Sequence, residues 1–276
     1  MSGQVLADGL QFDSGFFWHV LFHPSADFLG GLWRTVYISV VAQLLGVLLG
    51  LFIALLKRAR SPWVRVIPGF YIWVIRGTPL LVQLIIAYNG LAAIGLYRFD
   101  DITVAGLTFP GVIQAAIITL AINESAYMAE IIRAGIESVN KGQMEAALAG
   151  GMTNRQAMRW IILPQALRVI IPPLGNNFNS MMKTTSVLSV IGVNEMFLSA
   201  QEVSSTTFRT FEIFIAAALY YLALTTVWSL IQSWIEGRLN ASAGLTRPPS
   251  VWSRLFGGSR GGAAAPELPV LEAEVR

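Results

Sequence analysis

The sequence predicts an all-α integral membrane protein with five transmembrane helices, six being the alternative if residues 186–207 also cross. Three observations carry this expectation. Apolar residues make up 54% of the 276 positions and charged ones 13%, against the quarter or so usual in soluble domains, so a soluble fold has too little charge to cover its surface. The apolar residues gather in uncharged runs of roughly twenty, the number a helix rising about 1.5 Å per residue needs to cross a hydrocarbon core of about 30 Å. The basic residues sit beside the ends of those runs rather than along a stripe of their own, which argues against nucleic acid as a partner despite a net charge of +3. The alternating ten-residue segments of a β-barrel are absent.

Taken in order, residues 1–30 hold no Lys or Arg, lack the basic start of a signal peptide and are expected as an extracytoplasmic N-terminal segment. The first span is expected near 34–56, where 35–56 is uncharged and Gly46-x3-Gly50 offers the small-residue spacing that lets helices approach. Lys57, Arg58, Arg60 and Arg65 follow it and place that end in the cytoplasm by the positive-inside rule. A second span is expected near 77–97, preceded by Arg76-Gly77-Thr78-Pro79, which either kinks a long helix or separates an interfacial helix near 62–75 from the span. Residues 98–101 carry one basic and two acidic side chains, which fits the outside, and a third span is expected near 102–124. A fourth is expected near 166–187, although Lys183 and Pro172-Pro173 blur its limits, and a fifth near 213–235. This order leaves the N-terminus outside and the C-terminus in the cytoplasm, with 31–237 as the membrane domain. The tail 238–276, rich in Gly, Ala, Pro and Ser, is expected to be disordered.

Other functions are narrowed by what is missing. There is no cysteine and only His19 and His23 could offer imidazole, so neither a metal centre nor catalytic residues are assigned. None of the three lysines, Lys57, Lys141 and Lys183, follows a glycine, so a phosphate-binding G-x4-G-K-[ST] loop cannot be built here.

The connection after the third run is long and punctuated as a helical hairpin, expected over 137–163. Glu145-Ala146-Ala147-Leu148-Ala149 has high helix propensity, and Gly150-Gly151 supplies a residue able to take positive φ where that helix ends. Thr153, with Gln156 three residues on, forms a capping box that starts a second helix. Pro164 biases Leu163 away from helix, which predicts a break before the fourth span. Such a hairpin is either an interfacial element without a partner or a docking element.

Glu145-Ala146-Ala147, then Gly151, then Ile161-x-Leu163-Pro164 resembles the EAA motif of ABC importer permeases, with its spacing. Residues 76–83, 126–135 and 183–191 resemble the subgroup that imports histidine, glutamine, glutamate, arginine and opines, so the likeness spans about 30–237. Thr184 departs from the aspartate often found after the lysine there. The resemblance implies a bacterial inner-membrane subunit whose Glu145, Ala146, Ala147, Gly151, Thr153, Leu163 and Pro164 couple it to a partner. It also implies two ATP-binding subunits that use ATP and Mg, a second permease subunit, identical or paralogous, an extracytoplasmic solute-binding protein, and a polar amino acid as substrate. No cofactor is expected on this chain. An ion-coupled secondary carrier is the alternative class, and it leaves the EAA element without a use.

Within the spans, an ionisable side chain near mid-bilayer costs about 2.5–3.5 kcal/mol on insertion scales, so each needs a role or a partner. Arg76 either borders a broken-helix path or snorkels to the interface. Glu124, next to Asn123, either faces a path or pairs with a basic neighbour. Gln83 and Asn89, and Asn176, Asn177 and Asn179, either line a path or bond between helices. Lys183 either meets a substrate carboxylate or marks the outer boundary. Arg76, Gln83, Asn123, Glu124 and Lys183 are the candidate pathway residues.

Overall fold

The computed structural model describes residues 12–59, 61–104 and 106–241; the predicted disorder beyond 241 and the role given to Arg60 lie outside them. The first elements are α1 (Ser14–Phe22) and α2 (Ala26–Lys57), capped by Asp13 and Ser25, whose side chains accept the N–H of Phe16 and Phe28. At 32 residues α2 begins before the expected limit of 34 and passes straight through Arg34. That charge does not end the helix because its guanidinium Nη1 donates to the Asn194 carbonyl at 2.9 Å.

Helix α3 (Pro62–Gly77) and α4 (Leu80–Ala93, including a π turn at Ile86–Gly90) meet at 104°. Pro79 drives Thr78 into extended backbone, φ −118° and ψ 144°, and cannot donate to the carbonyls that α3 leaves open. Gln83 replaces that donor, its Nε2 lying 2.8 Å from the Ile75 carbonyl and 3.2 Å from that of Thr78. The second span expected over 77–97 is therefore an angled pair that starts at Pro62 and ends at Ala93.

The third expected span needs a larger correction. Residues Ile102–Val104 (β1) and Leu107–Phe109 (β2) form an antiparallel hairpin in the register Ile102↔Phe109, with Gly106 at φ +82°. Helix α5 starts only at Gly111 and runs to Glu137. An uncharged run rich in β-branched residues reads equally as strand or helix, and Pro110 is the boundary. At the other end the charges of Glu130, Arg133 and Glu137 satisfy one another and allow the helix to continue, so Asn123 and Glu124 lie midway along α5 rather than late in it.

The polar connection folds as α6 (Lys141–Ala149) and α7 (Asn154–Ala157), and continues through a π turn (Met158–Ile162) into α8 (Leu163–Thr184). The break expected at Pro164 is absent. Leu163 is helical, with φ −61° and ψ −42°, and the chain stays helical through Pro164, with a π turn over Met158–Ile162 directly before it. The widened π turn just before it takes up the strain as one wider loop of helix. A 3-10 turn (Thr185–Ile191) ends at Gly192, φ +85°, before α9 (Met196–Thr207) and α10 (Thr210–Ala241). The alternative sixth crossing over 186–207 is thus a tight turn plus a 12-residue helix of roughly 18 Å, too short to span. Among the described residues α2, α5 and α10 are each long and apolar enough to cross a membrane, and α3 with α4 passes as a broken span. Helix α8 has 22 residues but is more polar.

Helices α2 and α5 run side by side in the same direction and form the centre of the fold. Gly46 faces Ala121 and Glu124, and Gly50 faces Ser125, Met128 and Ala129. The buried residues Ile38, Ala42, Leu84, Leu120, Met181 and Leu188 then join α2, α4, α5, α8 and the 3-10 turn into one core. A second buried carboxylate, Glu195, went unremarked in the sequence. It caps α9, accepting from the N–H groups of Phe197 and Leu198 at 2.9 Å each and from the Tyr221 hydroxyl at 3.0 Å. Four donors, counting Thr35 at 3.4 Å, explain how an acid can be fully buried there.

Candidate functional site

Midway along α5, a cavity of about 300 Å³ opens between α4, α5 and α8. Its polar wall is Asn123, Glu124 and Tyr127 from α5 and Asn177, Ser180 and Thr184 from α8, with Leu80, Leu120 and Met181 as its apolar part. Positions 120, 123, 124 and 127, like 177, 180, 181 and 184, recur at helical spacing, which is why each helix presents all of them on one face. Pro79 matters here too, because the turn it enforces brings Leu80 to the cavity.

Glu124 is buried, 7% exposed. Its Oε1 accepts from Gln43 Nε2 at 3.4 Å and Asn177 Nδ2 at 3.3 Å, and among the described residues no basic side chain pairs with it. The pairing with a basic neighbour that the sequence left open is therefore not made. Asn123 Nδ2 donates to Gln83 Oε1 at 3.0 Å, and Gln83 itself is held on the broken end of α3. The guanidinium of Arg76 lies 5.2 Å from the ring centre of Tyr127. Four of the five candidate pathway residues, Arg76, Gln83, Asn123 and Glu124, thus gather at this cavity directly or through one intervening side chain. Lys183 does not: it is exposed, while Met181 and Thr184 on either side of it face inward.

Sequence reasoning missed Gln43 and gave no role to Tyr127, Ser180 or Thr184. The helical spacing on α5 and α8 was a usable signal for the last three. Gln43, a polar side chain inside the first apolar run, carried the same local signal as Gln83, but its partner could not be read, because the close approach at Gly46 is what brings α2 near enough to reach Glu124.

The second candidate element is the hairpin of α6 and α7. Ala147, Ala157 and Ile162 are buried, while Glu145, Ala146, Leu148 and Met152 are exposed. Gly151 has φ +85°, a conformation that disfavours any side chain. Thr153 and Gln156 form the capping box in full: Thr153 Oγ1 accepts from Gln156 N, and Gln156 Oε1 accepts from Thr153 N at 2.8 Å. Leu163 and Pro164 lie exposed at the start of α8. Thr153→Ala is expected to cost about 1 kcal/mol locally, read as several-fold faster amide exchange over 154–157 with the exchange of α5 unchanged.

At this same end Glu130 pairs with Lys57 and with Arg133 (2.8 Å), and Arg133 pairs with Glu137 (2.5 Å), tying α2 to the last turns of α5 beside the hairpin.

Residues 46–241 match the family described as binding-protein-dependent transport system inner membrane component, and the chain belongs to that family. It is 38% identical over 223 residues to the probable glutamine ABC transporter permease protein GlnM of Bacillus subtilis, covering 81% of this chain and 98% of that one. It is 40% identical over 212 residues to the L-cystine transport system permease protein TcyB of the same organism, covering 76% of this chain and 86% of that one. Among solved structures, a crystal structure of an amino acid ABC transporter with histidines matches with a TM-score of 0.72 and 42% identity, over 83% of this chain and 100% of that one. The chain is accordingly a permease subunit of an ABC importer and not an enzyme, and such systems place ATP hydrolysis on a separate subunit and use a binding protein and a second permease.

Proposed function

We propose that this permease carries a polar amino acid and that Glu124 receives its ammonium group or a cationic side chain. The observation that carries the reading is the buried Glu124 carboxylate on the cavity wall, hydrogen-bonded by two amides and paired with no basic side chain among the described residues. A carboxylate in that position is only partly compensated, and a substrate cation supplies what the protein omits. The amides of Asn123 and Asn177 and the hydroxyls of Ser180 and Thr184 offer donors and acceptors for the rest of an amino acid, and Arg76 beside Tyr127 offers a cation within reach of a carboxylate. Relatives named for glutamine and L-cystine transport are consistent with such a substrate.

In this reading the N-terminus lies outside and the C-terminus in the cytoplasm of a bacterial inner membrane, because Lys57, Arg58 and Arg65 and the hairpin share one side. Two ATP-binding subunits, using ATP and Mg, dock on the exposed Glu145, Ala146 and Gly151, while Thr153, Leu163 and Pro164 hold the hairpin in line with α8; Ala147, counted among the docking residues from the sequence, is buried and leaves no surface for a partner. Helix α8 carries both the hairpin's continuation and half of the cavity wall, so movement of docked ATPases reaches Asn177 and Ser180 along one continuous helical segment. A second permease, identical or paralogous, completes the path, and a loaded binding protein delivers the substrate.

The test is ATP hydrolysis by the chain reconstituted in liposomes with its permease and ATPase partners, adding binding protein with each polar amino acid in turn. Stimulation by one loaded binding protein supports the reading and names the substrate. Uptake by the chain alone, driven by an ion gradient without ATP, overturns it. Glu145→Lys is expected to weaken ATPase association in co-purification about tenfold, equivalent to about 1.4 kcal/mol, with membrane insertion unchanged.

A further inference from the structure

We propose that the cleft between the end of α2, the first turns of α3 and the last turns of α5 binds the phosphate of an anionic phospholipid. The cleft, about 550 Å³, is lined by Lys57, Pro62, Arg65, Val66 and Arg133, three cations from three separate helices and no acid. Lys57 and Arg133 share the carboxylate of Glu130, and Arg133 also meets Glu137. Arg65 makes no ion pair and no side-chain hydrogen bond among the described residues. The two acids thus fix Lys57 and Arg133 in place without cancelling the third charge, and a phosphate bridging Arg65 to the other two completes the set.

The neighbouring surface distinguishes a lipid from a free phosphate. Val66 lines the cleft and also belongs to an apolar stripe on α3 formed with Trp63, Ile67, Phe70 and Trp73, which are 83%, 71%, 64% and 71% exposed. Spacings of three and four place these side chains on one helix face, leading away from the cleft toward the bend at Thr78. In a membrane subunit such a face lies against acyl chains, and a tryptophan at its cationic end is the residue type expected at headgroup level. A headgroup in the cleft and its chains along the stripe are therefore one continuous ligand.

The position has a consequence for coupling. Lys57 also lines the adjoining cavity with Asn140, Lys141, Met144 and Met158 of the hairpin, so a bound headgroup shares a side chain with the element that meets the partner subunit.

The experiment is native mass spectrometry of the assembled, detergent-purified transporter titrated with phosphatidylglycerol or phosphatidylcholine of matched chains. The native protein is expected to retain phosphatidylglycerol in preference, and Arg65→Ala to reduce that preference about fivefold, the effect of one basic residue at an anionic surface. Arg65→Lys, which keeps the charge, should restore most of it. Equal retention of the two lipids by the native protein, or a preference unchanged in Arg65→Ala, overturns the proposal. So does displacement of phosphatidylglycerol by glycerol phosphate at equal concentration, since that result assigns the site to phosphate alone. None of these readouts depends on the substrate reading of Glu124.

Discussion

Gly50→Val is expected to prevent the chain from assembling into a stable bundle, with the solubilised protein eluting as aggregate and its melting transition lost or lowered by many degrees. A Cβ at Gly50 would lie 2.5 Å from Met128 Cβ, 2.9 Å from the Ser125 carbonyl oxygen and 3.0 Å from Ala129 N. Two of those atoms are backbone of α5 and the third is fixed to it, so no flexible side chain can swing aside. Relief requires α2 and α5 to separate, and overpacking of a well-packed core costs about 1–3 kcal/mol and occasionally more. Here the loss spreads along both helices, because Gly46 depends on the same approach. Gly69→Ala is the control: nothing lies within 4 Å of its added Cβ, and the substitution should leave stability unchanged or raise it slightly through helix propensity. Equal melting of Gly50→Val and the native protein would mean that α2 and α5 do not meet there.

Glu124→Gln is expected to separate transport from stability. The glutamine carbonyl can still accept from Gln43 and Asn177, which lie 3.4 and 3.3 Å from the present carboxylate oxygen, so the local bonds survive. Removing a buried charge without a basic partner relieves a desolvation cost, and the melting temperature should stay level or rise. The substrate cation, by contrast, loses a charge-assisted hydrogen bond worth about 1.5–3 kcal/mol. The half-saturation for binding-protein-delivered substrate should therefore rise about 10- to 100-fold, or uptake fall in proportion, while co-purification of the ATPase is unaffected. Normal uptake kinetics in Glu124→Gln would remove this carboxylate from the path.

How much of this was legible beforehand depended on whether the decisive interaction was local. The capping box of Thr153 and Gln156, the positive φ of Gly151 and the bend at Thr78-Pro79 all follow from backbone chemistry within a few residues, and sequence reading located them. The limits of spans did not follow from where charges fall. Arg34 stays inside α2 because Asn194, 160 residues later, accepts from it, and Glu130 stays inside α5 because Lys57 meets it. In the same way 102–109 contains no charge between Ile102 and Phe109, yet it pairs as a hairpin, since absence of charge says nothing about which backbone partners are available.

By itself the sequence determined that this chain enters a membrane, that its long connection is a capped hairpin bearing an EAA-like motif, and that it carries no phosphate loop of its own. These rest on composition, run length and short-range hydrogen bonding, which the chain carries wherever it folds. Only the tertiary structure decided that Glu124 faces a cavity with Asn177 and Gln43, that Lys183 does not, and that Lys57, Arg65 and Arg133 converge. Those placements depend on the rotation of each helix about its axis and on which helices approach closely, quantities set by packing at Gly46 and Gly50 and by the widened turn before α8.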